Sequence, residues 1–226
     1  MTPAPHLTRI TRLAMVNVYL VGEEDGLTLV DTGLPRSGKP VLKAASDLGV
    51  PIRRIVLTHA HGDHVGSLDE LASRLDGVEV LISARDARLL EGDKSLDPGE
   101  ERGKLRGSYP GTKTRPTGRL APGERVGSLE VVPSPGHTPG HVSLLDIRDR
   151  TLICGDAFST LGGVETSARV NPKFPLPGLA TWDRPTALES ARALRALEPA
   201  RLAPGHGKVV DQPLAAMDAA IARASN

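Results

Sequence analysis

Ile52-Arg53-Arg54-Ile55-Val56-Leu57-Thr58-His59-Ala60-His61-Gly62-Asp63-His64 sets a short apolar run directly before four ligand-type side chains within six residues. An apolar run of this length bounded by turn signals reads as a buried strand, Ile52–Leu57. Side chains on the turn beyond a strand end converge at a sheet edge rather than packing into a core. With this content of histidine and aspartate, the pattern His-x-His-x-Asp-His arises by chance on the order of a few times in ten thousand. A loop leaving the strand can turn His59 and His61 toward one point and Asp63 and His64 toward a neighbouring one. Each of those two sites is incomplete and needs ligands from elsewhere in the chain.

Three other strand ends supply them. Gly136-His137-Thr138-Pro139-Gly140-His141 precedes the apolar run Val142–Ile147, Gly155-Asp156 follows Thr151–Cys154, and Pro204-Gly205-His206-Gly207 follows Arg201–Ala203. Imidazole and carboxylate donors without thiolate suit zinc, with manganese or iron as alternatives. Around these turns, Val16–Val21 and Leu27–Val30 flank the polar turn Glu23–Gly26 and read as an antiparallel hairpin. Val41, Leu42, Ala45 and Leu48 fall at helical spacing before Gly49, a C-terminal cap. Further helices are expected near Leu68–Leu75, Ala84–Leu90, Pro185–Leu197 and Leu214–Ala224, with further strands at Val78–Ile82 and Leu129–Val132. Hairpin-linked strands alternate with helix-linked ones, so the expected fold class is α/β, or α+β layered, with mixed sheets covered by helices. Residues 1–226 are expected to form one domain.

Composition excludes several classes. At 39% hydrophobic and 24% charged the chain is an ordinary globular one, and a net charge of +1 supplies no field to steer nucleic acid. Five aromatic residues leave almost nothing for bases to stack on. The single cysteine, Cys154, cannot form an internal disulfide, and no apolar stretch approaches the roughly 20 residues of a membrane span. Asn17 and Tyr19 interrupt the apolar segment Leu13–Val21, which reads as a strand rather than a secretion signal. The expectation is a cytoplasmic protein with no membrane partner and with nucleic acid disfavoured.

In this order, and with these flanking glycines, His59/His61/Asp63/His64, His137, Asp156 and His206 resemble the ligand set of the metallo-β-lactamase superfamily. The resemblance runs from Val30-Asp31-Thr32-Gly33 to Pro204-Gly205-His206-Gly207. It implies an αββα sandwich with the metal site at one shared edge of two sheets. It also implies His59, His61 and His137 on a first metal, Asp63, His64 and His206 on a second, and Asp156 bridging. Two divalent ions roughly 3.5–4 Å apart can share a water, lower its pKa toward neutrality and present hydroxide to a carbonyl or phosphoryl centre. Asp63 and Asp156 are accordingly the candidate catalytic residues, Asp63 as a proton relay.

The superfamily spans several chemistries, so the subfamily stays open. A glyoxalase II-type thioesterase would carry an added helical domain after the last histidine, and the roughly twenty residues after His206 are not expected to form one. Ser159 stands where lactonases of this type often carry tyrosine, and His61 stands where diiron flavoproteins carry glutamate. The expectation is a dinuclear metallohydrolase acting on a small ester, thioester or lactone. The alternatives are a mononuclear iron dioxygenase of the persulfide dioxygenase type and, less favoured, a phosphodiesterase or nuclease. Gly92–Gly123 and Ser159–Ala180 lack periodicity and are candidate substrate-shaping loops. The first is basic from Arg102 to Arg119, which reads as a solvated face or as a contact to an anionic small-molecule substrate. Asp31 reads as a brace for the histidine turn or a simple turn cap, and His141 as a partner of His137, a substrate contact or an ordinary strand-start residue. Cys154 reads as an inert buried thiol.

Overall fold

The computed structural model describes residues 6–226. Its first sheet comprises β1 (Leu7–Arg12), β2 (Val16–Glu23), β3 (Gly26–Val30), β4 (Ile52–Val56), β5 (Glu79–Ser83) and β6 (Gly118–Leu120), hydrogen-bonded in that order. The first three strands run antiparallel and the rest parallel. The second sheet begins with β7 (Arg125–Val126), β8 (Leu129–Pro133), β9 (Val142–Asp146) and β10 (Thr151–Gly155). A short ribbon of β11 (Phe158–Ser159) and β12 (Glu165–Thr166) follows. Then β13 (Arg201–Pro204) joins β10 in parallel, and β14 (Val210–Asp211) closes the sheet. Both six-stranded sheets are therefore mixed.

Side-chain alternation assigns each strand to two layers. In β2, Val18 and Leu20 face outward and pack with α1 (Gly38–Leu48), while Tyr19 and Val21 face the second sheet. That outer layer also takes in Leu68 and Leu71 of α3 (Leu68–Ala72), beyond the one-turn α2 (Gly62–Val65), and Ala87, Leu89 and Leu90 of α4 (Ala84–Leu90). The middle layer joins Tyr19, Val21, Val30 and Val56 of the first sheet to Val131, Leu144, Ile153 and Ala203 of the second. In β10 the neighbours of Ile153 point the other way. Leu152 and Cys154 pack, past the short α5 (Leu176–Ala180), on Ala191 and Leu194 of α6 (Arg184–Ala196) and Met217 of α7 (Leu214–Ala224). With both faces of each sheet covered, β2 and β3 are buried along almost their whole length, as strands inside covered sheets are. The result is the expected layering of helices, sheet, sheet and helices.

The differences from the sequence expectation lie in short or edge elements. Leu7–Arg12, to which the sequence reading assigned nothing, is an edge strand on β2. The segment 92–123 contains β6, whose three residues pair with β5. The helix expected over Leu68–Leu75 ends at Ala72: the Ser73 amide makes a last i→i−4 bond to the Asp69 carbonyl, and the Arg74 amide then tightens onto the Leu71 carbonyl. No helix among the described residues is long and apolar enough to cross a membrane.

Candidate metal centre

The turn after β4 is held from below by Asp31, a non-glycine residue at φ 60° just past β3. Its Oδ1 accepts the Thr58 amide at 2.8 Å, and its Oδ2 accepts the Thr58 hydroxyl and His64 Nδ1, each at 2.8 Å. The brace reading of Asp31 is therefore the one its contacts match. Because the Thr58 hydroxyl donates to Asp31, it accepts from His59 Nδ1, 3.0 Å away, and leaves the Nε2 lone pair of His59 free.

The same logic fixes four more rings. His64 Nδ1 donates to Asp31, His61 Nε2 to the Arg106 carbonyl at 2.9 Å, and His206 Nδ1 to the Met15 carbonyl at 3.2 Å. His137 Nδ1 lies 3.1 Å from the Thr181 hydroxyl, whose own proton goes to the Ser167 or Pro177 carbonyl. Each of the five imidazoles thus has one nitrogen committed to an acceptor and the other turned inward; on His59, His61 and His137 the inner nitrogen carries a lone pair, and on His64 and His206 it faces the Asp156 carboxylate, which holds a proton there that a cation would displace. Oriented imidazoles of this kind are characteristic of metal ligands.

The inward atoms gather into three groups, each with its ligand atoms within 4.8 Å of one another: His59, His61 and His137; His59, His64 and Asp156; Asp63, His64 and His206. Asp156 stands between the outer two. Its Oδ2 lies 3.1 Å from His206 Nε2 and 3.5 Å from His137 Nε2, and its Oδ1 lies 3.2 Å from His64 Nε2. Asp63 Oδ2 is 3.3 Å from His206 Nε2. All seven residues expected from the sequence as ligands therefore converge on one edge shared by both sheets.

The donor set fits cations. His59 Nε2, His64 Nε2 and Asp156 Oδ1 are buried without a hydrogen-bond partner among the described residues. The facing lone pairs of His61 Nδ1 and His137 Nε2 lie 3.0 Å apart with no proton to share between them, an arrangement that a positive ion relieves. Burial holds His59, His61 and His137 below the ordinary imidazole pKa, which keeps them neutral for ligation. Burial also opposes charge on Asp156 and Asp63, but the neighbouring His206 and His64 outweigh it and keep both carboxyls below the usual range.

Several supporting residues escaped the sequence reading. Asp86 at the start of α4 is fully buried and accepts the Ala60 amide at 3.0 Å, the Thr138 hydroxyl at 2.7 Å and the Gly140 amide at 2.8 Å. It ties the turn bearing His59 and His61 to the turn bearing His137. Its sequence signal, Ser83-x-x-Asp86, reads as a helix cap, and the Ser83 hydroxyl does cap the Asp86 amide. Asn17 and Tyr19 position His206: the Asn17 amide group donates to the Pro204 and Gly207 carbonyls at 2.9 and 2.8 Å, and the Tyr19 hydroxyl to Pro204 at 2.7 Å. His141 contacts neither His137 nor the pocket through a hydrogen bond; its Nε2 accepts the Asp156 amide at 3.1 Å and its Nδ1 meets the Ser134 hydroxyl. Gly107, at φ 80°, lets the loop pass over His61, where a Cβ would lie 2.6 Å from Nε2. Cys154 is fully buried, and burial pushes its thiol pKa up.

A cavity of about 290 Å³ opens onto this edge, walled by Gly107 and Ser108 on one side and Leu176, Pro177, Leu179 and Ala180 on the other. Both aperiodic segments therefore line it. None of the basic side chains between Arg102 and Arg119 does. Arg102 binds Thr186 and approaches Asp183, Arg119 approaches Glu91, and Arg106 contributes its carbonyl.

A family model described as the metallo-beta-lactamase superfamily matches residues 11–206. Among curated proteins, the uncharacterized protein YobT of Bacillus subtilis (strain 168) is 47% identical over 219 residues, 96% of this chain and 94% of that one. The probable metallo-hydrolase YflN of the same organism is 30% identical over 223 residues, 85% of this chain and 81% of its own length. Among solved structures, TTHA1623 in a di-iron-bound form is similar at 29% identity and a TM-score of 0.66, covering 92% of this chain and 95% of that one.

Proposed function

The chain belongs to the metallo-beta-lactamase superfamily, and from that premise we propose that it is a dinuclear metallohydrolase cleaving a small ester, thioester or lactone. We read residues 1–226 as one catalytic unit, since the middle apolar layer draws on both sheets. The observation that carries the reading is the set of five imidazoles whose outer nitrogens are all committed and whose inner nitrogens converge. In it, His59, His61 and His137 hold one ion and Asp63, His64 and His206 the other, with Asp156 between. Nitrogen and oxygen donors suit two zinc ions, with manganese or iron as alternatives. The di-iron form of TTHA1623 supports both a pair of ions and iron as a candidate. Such ions, when bound, acidify water toward a neutral pKa and polarise the oxygen of the bond under attack.

The chain's own residues do the rest. The Asp31, Thr58, Thr181, Arg106 and Met15 acceptors hold the five rings in fixed tautomers, so little reorganisation is needed as charge develops. Asp63, the more exposed carboxylate, lines the cavity and passes a proton toward the leaving atom. Because His64 and His206 keep its pKa low, it is a transient relay rather than a resting base. Leu176, Pro177 and Leu179 wall the cavity with apolar surface and limit water at the bond.

Elemental analysis of protein purified without chelator, followed by a panel of esters, thioesters and lactones, tests this. Two metal ions per chain and hydrolysis abolished by His59→Ala and by Asp156→Ala, in variants that still melt cooperatively, are expected. Wild-type turnover in either variant would sink the site assignment, and a single iron per chain would move the protein to oxygenase chemistry.

A further inference from the structure

One buried side chain fastens the loop over His61 to the turn that carries His137. Trp182, the chain's only tryptophan, lies between α5 and α6 and is 6% exposed. Its indole Nε1 donates to the Glu100 carbonyl at 3.3 Å, its own carbonyl accepts the Lys104 amide at 3.3 Å, and the Arg102 guanidinium stands 5.9 Å from its ring centroid. Gly103 rests directly on it: a Cβ there would lie 2.4 Å from Nε1 and 2.6 Å from the Trp182 carbonyl oxygen. Gly103 has no positive φ, so close approach rather than backbone conformation accounts for the glycine. We propose that Trp182 is a positioning residue for His61 and His137, two ligands of one ion, an inference that rests on the metal-site reading above.

Contacts on both sides of the indole carry it. On one side, residues 181–183 grip the turn of His137. The Thr181 hydroxyl meets His137 Nδ1 at 3.1 Å, the Trp182 amide donates to the His137 carbonyl at 3.0 Å, and the Asp183 amide donates to the Gly136 carbonyl at 2.9 Å. On the other side, the chain that Trp182 holds at Glu100, Gly103 and Lys104 runs on to Arg106, whose carbonyl takes the His61 Nε2 proton at 2.9 Å. That carbonyl hangs between two anchors: Trp182 upstream, and downstream the Ser108 carbonyl, which accepts the Gly62 amide at 2.9 Å. His61 and His137 sit on separate turns, yet their inner nitrogens come within 3.0 Å. Without the upstream anchor the Arg106 carbonyl moves away from Nε2, the His61 proton is free to shift to Nδ1, and the lone pair needed for ligation is lost. His64 and His206 take their outer partners from Asp31 and Met15, in other segments. The effect of Trp182 is therefore confined to one of the two ions.

Two variants test it from opposite sides of the contact. Trp182→Ala removes the anchor, and Gly103→Ala lifts the loop from it with the indole intact, so one stays readable if the other fails to fold. In chelator-treated protein labelled with 15N-histidine, the ring nitrogen shifts should show His61 as the Nε2–H tautomer, its signals assigned by their loss in His61→Ala. In both variants those signals should move toward a mixture of tautomers while the His64 signals stay in place. Zinc is then titrated against a chromophoric chelator, with the step lost in His61→Ala assigned to one ion and the step lost in His206→Ala to the other. The His61 step should weaken by about tenfold or more in both variants and the His206 step by less than about twofold. An unmoved His61 tautomer, a His61 step of wild-type affinity, or two steps weakened alike would overturn the proposal. If the protein binds no zinc but the His61 tautomer shifts in both variants, the positioning role stands and the metal reading falls. If zinc binds in two steps that neither variant changes, the positioning role falls alone.

Discussion

Asp86 ends three hydrogen bonds from two ligand-bearing turns while binding no candidate ligand itself. Burial pushes its carboxyl pKa up to about 6 against the pull of those three donors, so the charge is kept at a cost that only its partners offset. Partners behind metal ligands are worth about 10–100-fold in metal affinity. Asp86→Ala should therefore weaken zinc binding by about that factor, read by competition with a chromophoric chelator. Asp86→Asn should lose less, since its amide oxygen still accepts from Ala60 and Thr138 while its NH2 opposes the Gly140 amide. Wild-type zinc affinity in Asp86→Ala would refute the tie. The seven ligand-type residues were legible because their spacing has no structural explanation. Asp86 was not, because a single acid three residues after a serine is what an ordinary helix start looks like.

At the level of elements, β2 shows how one strand serves both core and site. Its apolar alternation was readable, and so was the interruption by Asn17 and Tyr19, but the interruption counted only against a secretion signal. In the fold those two side chains reach the turn after β13 and hold the carbonyls on either side of His206. Asn17→Ala removes one donor from each of two carbonyls that keep another, Pro204 the Tyr19 hydroxyl and Gly207 the Arg9 guanidinium, so the loss is that of two hydrogen bonds at about 1 kcal/mol each. A loss of about 1–2 kcal/mol is expected from the urea midpoint, together with weaker metal retention; an unchanged midpoint would show that water replaces the amide. The 92–123 segment is the opposite case. Without periodicity it gave no element, yet Tyr109 packs on the His61 ring at 4.6 Å between centroids and Arg106 holds that ring's outer nitrogen. Its order comes from contacts distant in sequence, which local patterns do not encode.

Across the whole molecule, the site carries a protonation signature. Burial holds His59, His61, His137 and His141 below the ordinary value, His141 at about 3. The unfolded chain takes up protons on these residues near pH 6.5 that the folded chain refuses, so their contribution to stability is lost as pH falls below about 7. For His64 and His206, burial is outweighed by Asp156 and its neighbours, and His206 is raised to about 9. Their contribution has the opposite sign, full below about pH 6.5 and lost, for His206, as pH rises through about 9. Asp86, raised to about 6, acts in the same direction, its contribution lost as pH rises through that value. Four groups against three set the net direction: chelator-treated protein should show a lower urea midpoint at pH 5.5 than at pH 7.5. Added zinc should raise the midpoint at pH 7.5, and less at pH 5.5, where protons compete for the ligands. An acid-insensitive midpoint would mean that the rings protonate freely in the folded state. By itself the sequence determined the layered α/β class, the strand ends that carry chemistry and the ligand types, because alternation and clustered histidines are local signals. Only the tertiary structure decided which nitrogen of each ring points inward and which carboxylate ties the turns together. Those depend on acceptors brought together from segments far apart in the chain, and no spacing along the sequence records them.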